Sequence, residues 1–265
     1  MSAADVQLAA ERIRRGASHR HLVLLCDFDG TLSEFDNDPT AVWLKPSRRD
    51  LLERLAQGPG QTVAIVSGRR LHDVKERTAL AGDVYYAGLH GLEIESSREH
   101  YLHPGLPRAE AALRALAGPL AAELATIDGA FLEDKTHALV AHFRASTAEG
   151  AQQAEDMLLR HAKRDLDAGR LRVMRGASMI ELMPNIDWHK GSAVQWILDR
   201  VTPLRGPAWP VYIGDDLTDE DGFRAVEDIG LSIAASARAT GADLAVDGPS
   251  EVEALLRAIA AQPAS

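Results

Sequence analysis

Two carboxylates one residue apart, Asp27 and Asp29, follow directly on a wholly apolar run in the stretch Asp27-Phe28-Asp29-Gly30-Thr31-Leu32. A turn at Gly30 lets both face one small volume; taken alone, the pattern is also that of a strand-ending Asx turn. A second acidic cluster, Tyr212-Ile213-Gly214-Asp215-Asp216-Leu217-Thr218-Asp219-Glu220-Asp221, again follows an apolar run, and five of its ten residues are acidic. On its own it is also how a helix N-terminus reads. Together, two groups of carboxylates at strand ends repel strongly in a low-dielectric cleft unless a cation lies between them. Hard oxygen donors with room for waters suit Mg²⁺, and no His/Cys set at zinc spacing competes.

Two further polar strand ends extend the set. Ser67-Gly68-Arg69 offers a hydroxyl and backbone N–H groups at an expected helix start, an anion site by geometry. Lys190-Gly191, after Trp188-His189, offers a cation. Alone, Ser67 reads as an N-cap and Lys190 as a solvated charge. As a group, a carboxylate nucleophile, metal ligands, a hydroxyl and an ammonium are what phosphoryl transfer requires: neutralised charge on the phosphoryl oxygens and an in-line attacking group.

The elements that must position these residues are short. Residues 22–26, 62–66 and 210–213 read as buried parallel strands, continuous apolar runs bounded by polar residues or glycine. Helical patterns lie between them: Ser47 as N-cap before Leu51, Leu52 and Leu55; Leu71 and Val74 after Ser67; Val194, Ile197 and Leu198 after Gly191. Strands alternating with helices imply a parallel sheet flanked by helices, closed by a last helix that a Ser250-x-x-Glu253 capping box would open. The middle differs. Helices over 108–125 and 147–164, strands over 137–144, 170–175 and 178–183, and a pairing segment at 130–134 give an α-β-β-α-β-β order, which makes its own open-faced sheet. Pro/Gly-bearing joints at 103–107 and 183–187 bracket it. The expected architecture is therefore α/β, a Rossmann-like core of residues 1–105 and 186–265 with an inserted α+β cap of residues 106–185.

The chain has 265 residues, 46% apolar and 26% charged, enough for one large or two modest domains. Its net charge of −10 leaves no polycationic surface for a phosphate backbone, which argues against nucleic-acid and anionic-membrane partners. Arg69-Arg70 is too short to change that. The single cysteine, Cys26, lies in an apolar run and suits a reducing compartment. No apolar run approaches the roughly 20 residues that span a bilayer, so a cytoplasmic protein is expected. His100, His103, His137 and His142 lack the partners of a zinc site, and Trp188, Trp196 and Trp209 read as core or hinge packing.

In order and spacing, Asp27-x-Asp29-Gly30-Thr31, Ser67, Lys190 and Gly214-Asp215-Asp216-x-x-Asp219 resemble the four motifs of the haloacid-dehalogenase-like phosphatases. More narrowly, Ser67-Gly68-Arg69, Gly88-Leu89-His90-Gly91-Leu92-Glu93, Glu133-Asp134-Lys135-Thr136, His142-Phe143-Arg144, Glu181 and Trp188-His189-Lys190-Gly191 are similar to stretches of trehalose-6-phosphate phosphatases. The resemblance runs from about residue 21 to 259. It implies a haloacid-dehalogenase-type core, with Asp27 as the nucleophile that becomes aspartyl-phosphate and Asp29 as the acid that protonates the leaving sugar oxygen and then activates water. It implies Mg²⁺ held by Asp27, the Asp29 carbonyl and Asp215, with Asp216 and Asp219 in support, and the phosphoryl group held by Ser67 and Lys190. Arg69, His90, Glu133, Lys135, Arg144 and Glu181 would bind substrate, a small sugar phosphate, and a monomer is favoured.

Two positions depart from the family pattern: Leu89 stands where a polar residue is frequent, and His189 where an acidic one is. Sucrose, glucosylglycerol or mannosylglycerate phosphate would suit a similar cap. A phosphomutase would retain the phosphoryl group. A non-catalytic sugar-phosphate sensor is disfavoured by the presence of Asp27, Asp29, Lys190 and Asp215 together.

Overall fold

Strand β1, His21–Cys26, is buried along its whole length because successive side chains enter different layers. Leu22, Leu24 and Cys26 join Val63 and Ile65 in one core, whereas Val23 and Leu25 join Ala64 and Val66 in another. Burial on both faces is why the strand reads as a continuous apolar run. The structure, a computed structural model, describes residues 3–36, 39–176, 178–238 and 240–261.

In chain order the first half of the core comprises α1 Ala3–Ala17, β1, α2 Pro46–Gln57, β2 Gln61–Val66, α3 Leu71–Thr78, β3 Val84–Gly88, β4 Glu93–Glu95 and β5 His100–Leu102. The inserted part comprises α4 Leu106–Leu124, β6 Phe131–Asp134, β7 Leu139–His142, α5 Ala148–Asp167, β8 Leu171–Gly176 and β9 Met179–Pro184. The core resumes with α6 Lys190–Arg205, β10 Ala208–Gly214, α7 Glu220–Val226, β11 Leu231–Ala234, β12 Leu244–Ala245 and α8 Gly248–Ala260. Two compact units result, Met1–Tyr101 with Trp188–Ser265, and Leu102–Asp187. The fold is thus a mixed α/β core with an inserted α+β unit.

The large sheet has the order β12-β11-β10-β1-β2-β3-β4-β5. Its centre is parallel, with Leu24 beside Val211 on β10 and Val63 on β2, so the carboxyl ends of β10, β1 and β2 lie side by side. The order changes direction at β1, where a crevice beyond the strand ends forms in such sheets. β4 runs antiparallel to β3.

The second unit holds the antiparallel sheet β6-β7-β9-β8. Leu139, Ala141, Ile180, Leu182 and Leu171 bury one face with Leu113, Leu120 and Leu124 of α4 and Ala154 and Leu158 of α5. The opposite face, formed by alternate residues along each strand, carries Glu133, His142 and Glu181 together with Phe131 and Val140. Thr147 caps α5, its hydroxyl accepting from the Gly150 N–H at 3.1 Å.

Three expected caps differ. α2 begins at Pro46 after Lys45, not after Ser47, since proline fits the first helical position. α3 begins at Leu71 with Arg70 as cap, so Ser67 does not open it. α8 begins at Gly248 with Asp247 before it and Pro249 in its first turn, ahead of the Ser250-x-x-Glu253 box; Glu251 reaches back to the Asp247 N–H at 2.5 Å. No helix among the described residues is long and apolar enough to cross a membrane.

Candidate active site

Asp27 is the first residue past β1, and its N–H still donates to the Ile213 carbonyl of β10 at 2.8 Å. The sheet therefore fixes its backbone, and the residue is 4% exposed. Lys190, the first residue of α6 and 3% exposed, places Nζ 2.9 Å from Asp27 Oδ1 and 2.7 Å from Asp219 Oδ1. His189 is the cap that starts this helix, its Nδ1 accepting from the Ser192 N–H at 3.3 Å. An imidazole nitrogen thus does the work ordinarily left to a hydroxyl or carboxylate.

Asp219 is fully buried and carries four donors. Lys190 and the Tyr212 hydroxyl, at 2.7 Å, share Oδ1, and the N–H groups of Asp215 and Asp216 bind Oδ2 at 3.1 and 3.0 Å. Asp219 therefore holds both the ammonium and the turn that presents Asp215. Gly214 permits this closeness, because a Cβ there would overlap the Asp219 side chain. Asp215 Oδ1 accepts from the Thr31 hydroxyl at 2.9 Å. Gly30, at φ +76°, brings its backbone against the same carboxylate, where a Cβ would overlap it.

Asp29 is gripped through both oxygens: Arg69 Nε donates to Oδ2 and Nη2 to Oδ1, each at 2.7 Å. The other edge of the guanidinium reaches Asp73 at 3.0 Å. The Ser67 hydroxyl accepts from the Arg69 N–H at 3.1 Å, and the Ser67 carbonyl accepts from the His90 N–H at 2.9 Å. His90 holds a left-handed backbone, φ 58°, and its ring lies against Gly68. Thus Asp27, Asp29, Ser67, Arg69, His90, Lys190, Asp215 and Asp219 gather at the carboxyl ends of four neighbouring strands, β10, β1, β2 and β3, and the start of α6. Asp216 is exposed instead, its Oδ1 accepting from the Leu217 N–H at 2.6 Å as a cap.

Oxygens of Asp27, Asp215 and Asp219 lie within 4.8 Å of one another. Asp219 is saturated, but no donor among the described residues engages the second oxygen of Asp27 or of Asp215. Burial, reinforced by neighbouring carboxylates and opposed by Lys190, pushes the Asp27 carboxyl well above its usual range. Burial likewise raises Asp215 to about 6, against the Thr31 hydrogen bond and with help from Asp219. Burial works to lower the Lys190 ammonium, and the two carboxylates beside it more than offset that, so it is held charged. Three carboxylates sharing one ammonium leave two negative charges uncompensated, and hard oxygens are the donors on offer. The donor set fits a divalent cation.

In the second unit, Glu133 and Glu181 face the same side of the open sheet, each opposite Val140 on the strand between them. Lys135 Nζ lies 3.4 Å from Glu181 Oε1. His142 Nε2 donates to Glu133 Oε2 at 2.8 Å. Arg144 is exposed, two residues beyond β7, and is not joined to this group by any contact described.

Sequence reading did not find Tyr212, Ser236 or Arg238. Tyr212 is hidden in a strand as an apolar residue. The Ser236 hydroxyl donates to the Asp215 carbonyl at 3.1 Å and Arg238 Nη2 to the Asp216 carbonyl at 2.8 Å, from a loop 21 and 22 residues further on that carries no motif.

A sequence model of the trehalose-phosphatase family matches residues 25–250. The trehalose-phosphate phosphatase of Mycobacterium tuberculosis is 35% identical over 264 residues, covering 95% of this chain and 64% of that protein. That of Mycobacterium marinum is 36% identical over 244 residues, covering 89% and 60%. The chain thus spans somewhat under two thirds of the length of these relatives. Among solved structures, Aspergillus fumigatus trehalose-6-phosphate phosphatase superposes with a TM-score of 0.65 at 23% identity, covering 95% of this chain and 97% of that one. The C-terminal domain of the C. albicans enzyme gives 0.71 at 20%, covering 97% of each. The fold agrees across these structures, and the family match takes in every residue of the site, from Asp27 through Asp219: the chain belongs to the trehalose-phosphatase family.

Proposed function

We propose that the protein is a Mg²⁺-dependent phosphomonoesterase that converts trehalose 6-phosphate to trehalose and phosphate. The observation that carries this reading is the buried Lys190 bridging Asp27 and Asp219 beside Asp215. It is a nucleophilic carboxylate with a fixed positive charge at its oxygen, in a site short of two positive charges. The family supplies the sugar.

Asp27 attacks phosphorus in line, and the ester P–O bond breaks with its electron pair leaving on the sugar oxygen. Asp29 protonates that oxygen. It then takes a proton from the water that attacks the aspartyl-phosphate, and Asp27 is returned as carboxylate. Both Asp29 oxygens are occupied by Arg69, so Asp29 must turn one of them out of the guanidinium fork to carry a proton. Lys190 and Ser67 hold the phosphoryl oxygens, and Asp219 keeps Lys190 in place. Asp27, the Asp29 carbonyl and Asp215 would hold Mg²⁺, which supplies charge neutralisation on the phosphoryl group. Glu133, Lys135 and Glu181 bind sugar hydroxyls, a task suited to carboxylates and an ammonium. His90 belongs with the phosphate-binding loop, and Arg144 is a further sugar contact. We read the protein as a cytoplasmic monomer acting on a small molecule; its acidic balance supports the lack of a nucleic-acid partner.

Phosphate release from trehalose 6-phosphate, sucrose 6-phosphate and glucose 6-phosphate tests the reading. The expected result is a preference for trehalose 6-phosphate of about tenfold or more in kcat/KM. Equal turnover of all three would move the substrate to another sugar phosphate, and dependence on a bisphosphate activator would indicate a mutase.

A further inference from the structure

The open face of the second sheet holds an aromatic residue where an edge strand ordinarily shows a polar one. Phe131 is 58% exposed at the start of β6, and it lies directly opposite His142 of β7. The two rings stack with centroids 4.7 Å apart and planes 18° from parallel. Glu133 is two residues along β6, on the same face, and the imidazole held by Phe131 donates to it. A carboxylate only accepts, so the proton is on His142 Nε2. Phe131 fixes the plane of the ring, the ring fixes one oxygen of Glu133, and the other oxygen stays open to a hydroxyl. Glu181 is arranged likewise by Lys135.

We infer that Phe131 and His142 are positioning residues that preorganise Glu133 as a hydroxyl acceptor, so that the edge of this sheet recognises a sugar ring. The inference rests on the sugar-phosphate reading above and names residues that reading does not use. Burial does not explain Phe131, because more than half of its surface is in water. Packing does not explain the His142 to Glu133 bond, because both side chains are part-exposed and an untethered pair there would be solvated. A glutamate loses several rotatable degrees of freedom on binding; a tether that removes them beforehand lowers the cost of binding without entering the chemistry.

The test measures kcat and KM of Phe131→Ala, Phe131→Tyr, His142→Leu and His142→Gln, each also in a Glu133→Ala background. The substrates are p-nitrophenyl phosphate and whichever sugar ester the unaltered protein prefers. Phe131→Ala and His142→Leu should raise KM for the sugar ester about five- to tenfold more than for p-nitrophenyl phosphate. Phe131→Tyr keeps the stack and His142→Gln keeps a donor, so both should recover most of the loss. In the Glu133→Ala background the further loss should vanish, since these residues act through Glu133. Additive losses, equal losses on both substrates, or no loss would overturn the inference. A preference for a different sugar ester refutes trehalose 6-phosphate as substrate while the test still runs on that ester. No preference for any sugar ester overturns both.

Discussion

Tyr212→Phe removes one oxygen from the interior, and its cost follows from what that oxygen does. Tyr212 and Asp219 are both fully buried, and the phenol donates to Asp219 Oδ1 at 2.7 Å. Burial and the neighbouring carboxylates push the phenol well above its ordinary range, so it is a donor throughout the accessible pH range. A hydrogen bond to a buried charged group contributes about 1.5–3 kcal/mol, and phenylalanine leaves Asp219 one donor short with no water to replace it. For a chain of this size each kcal/mol shifts Tm by about 2–4 °C, so a fall of roughly 3–12 °C is expected in thermal unfolding followed by circular dichroism. Activity should suffer less. Lys190 and the two backbone N–H groups still hold Asp219, so kcat should fall by less than about tenfold. Asp219→Asn makes the comparison, since an amide has one acceptor oxygen for four donors and leaves Lys190 with Asp27 alone. Breaking a buried pair in this way costs about 3–5 kcal/mol, and activity should fall much further. A Tyr212→Phe variant that melts within about 1 °C of the parent would refute the picture of Asp219 as a saturated buried anion.

Asp27→Asn should abolish phosphate release, since an amide oxygen is a poor nucleophile, and should lower Tm less than Asp219→Asn does, because the amide oxygen still accepts from Lys190 and Asp219 still pairs with the ammonium. Mg²⁺ should raise Tm more at pH 7.5 than at pH 5. The Asp215 pKa is raised to about 6, so its contribution favours the metal-free fold below the unfolded value, is lost as pH rises through about 6, and is regained when a cation pairs with the carboxylate. Equal shifts at the two pH values would count against Asp215 as a ligand. Thr147→Ala should destabilise the second unit by about 1 kcal/mol, seen as a lower urea midpoint at unchanged slope, because it removes the hydroxyl that caps α5.

What the sequence made legible follows from where burial is total. β1, β2 and β10 stand out as apolar runs because both faces are covered. α1 escaped notice because its buried stripe, Val6, Ala9, Ala10 and Ile13, is half alanine and carries little apolar signal. β11 is four residues long with Ser232 in the middle, where the hydroxyl donates to Asp243 at 2.8 Å, so its polar centre is satisfied by a partner no local pattern reveals. The expected caps at Ser47, Ser67 and Ser250 gave way because prolines in the first turns of α2 and α8 set those starts, and because the Ser67 hydroxyl bonds locally to the Arg69 N–H. At the site, spacing was enough to point to Asp27, Asp215 and Lys190 as a group. It could not show that Asp219 is spent on four donors, since that depends on Tyr212 and on the turn of its own backbone.

Charge serves two purposes in the core unit, and only one of them faces the chemistry. Arg48 is 1% exposed, yet its described partners are Leu32, Glu34 and Glu253 and none of the clustered aspartates. It donates to the Leu32 carbonyl at 2.9 Å, binds Glu34 at 2.9 Å and lies 3.2 Å from Glu253 of α8, so one guanidinium ties the loop after Asp29 to the last helix. Its hydrogen bond pulls the Glu34 carboxyl down to about 2, against the cost of burial. On the other side, Arg238 bonds the Asp216 carbonyl and Glu220 at 2.8 and 2.9 Å, while Glu220 accepts from the Thr240 hydroxyl and the Gly241 N–H. Each network fixes backbone, and each fixes a segment that carries an acidic residue of the site. A cluster of buried carboxylates repels itself and would spread if its loops could move. The two networks anchor the segments that carry Asp27 and Asp215, whose oxygens lie close enough for one cation to pair with both.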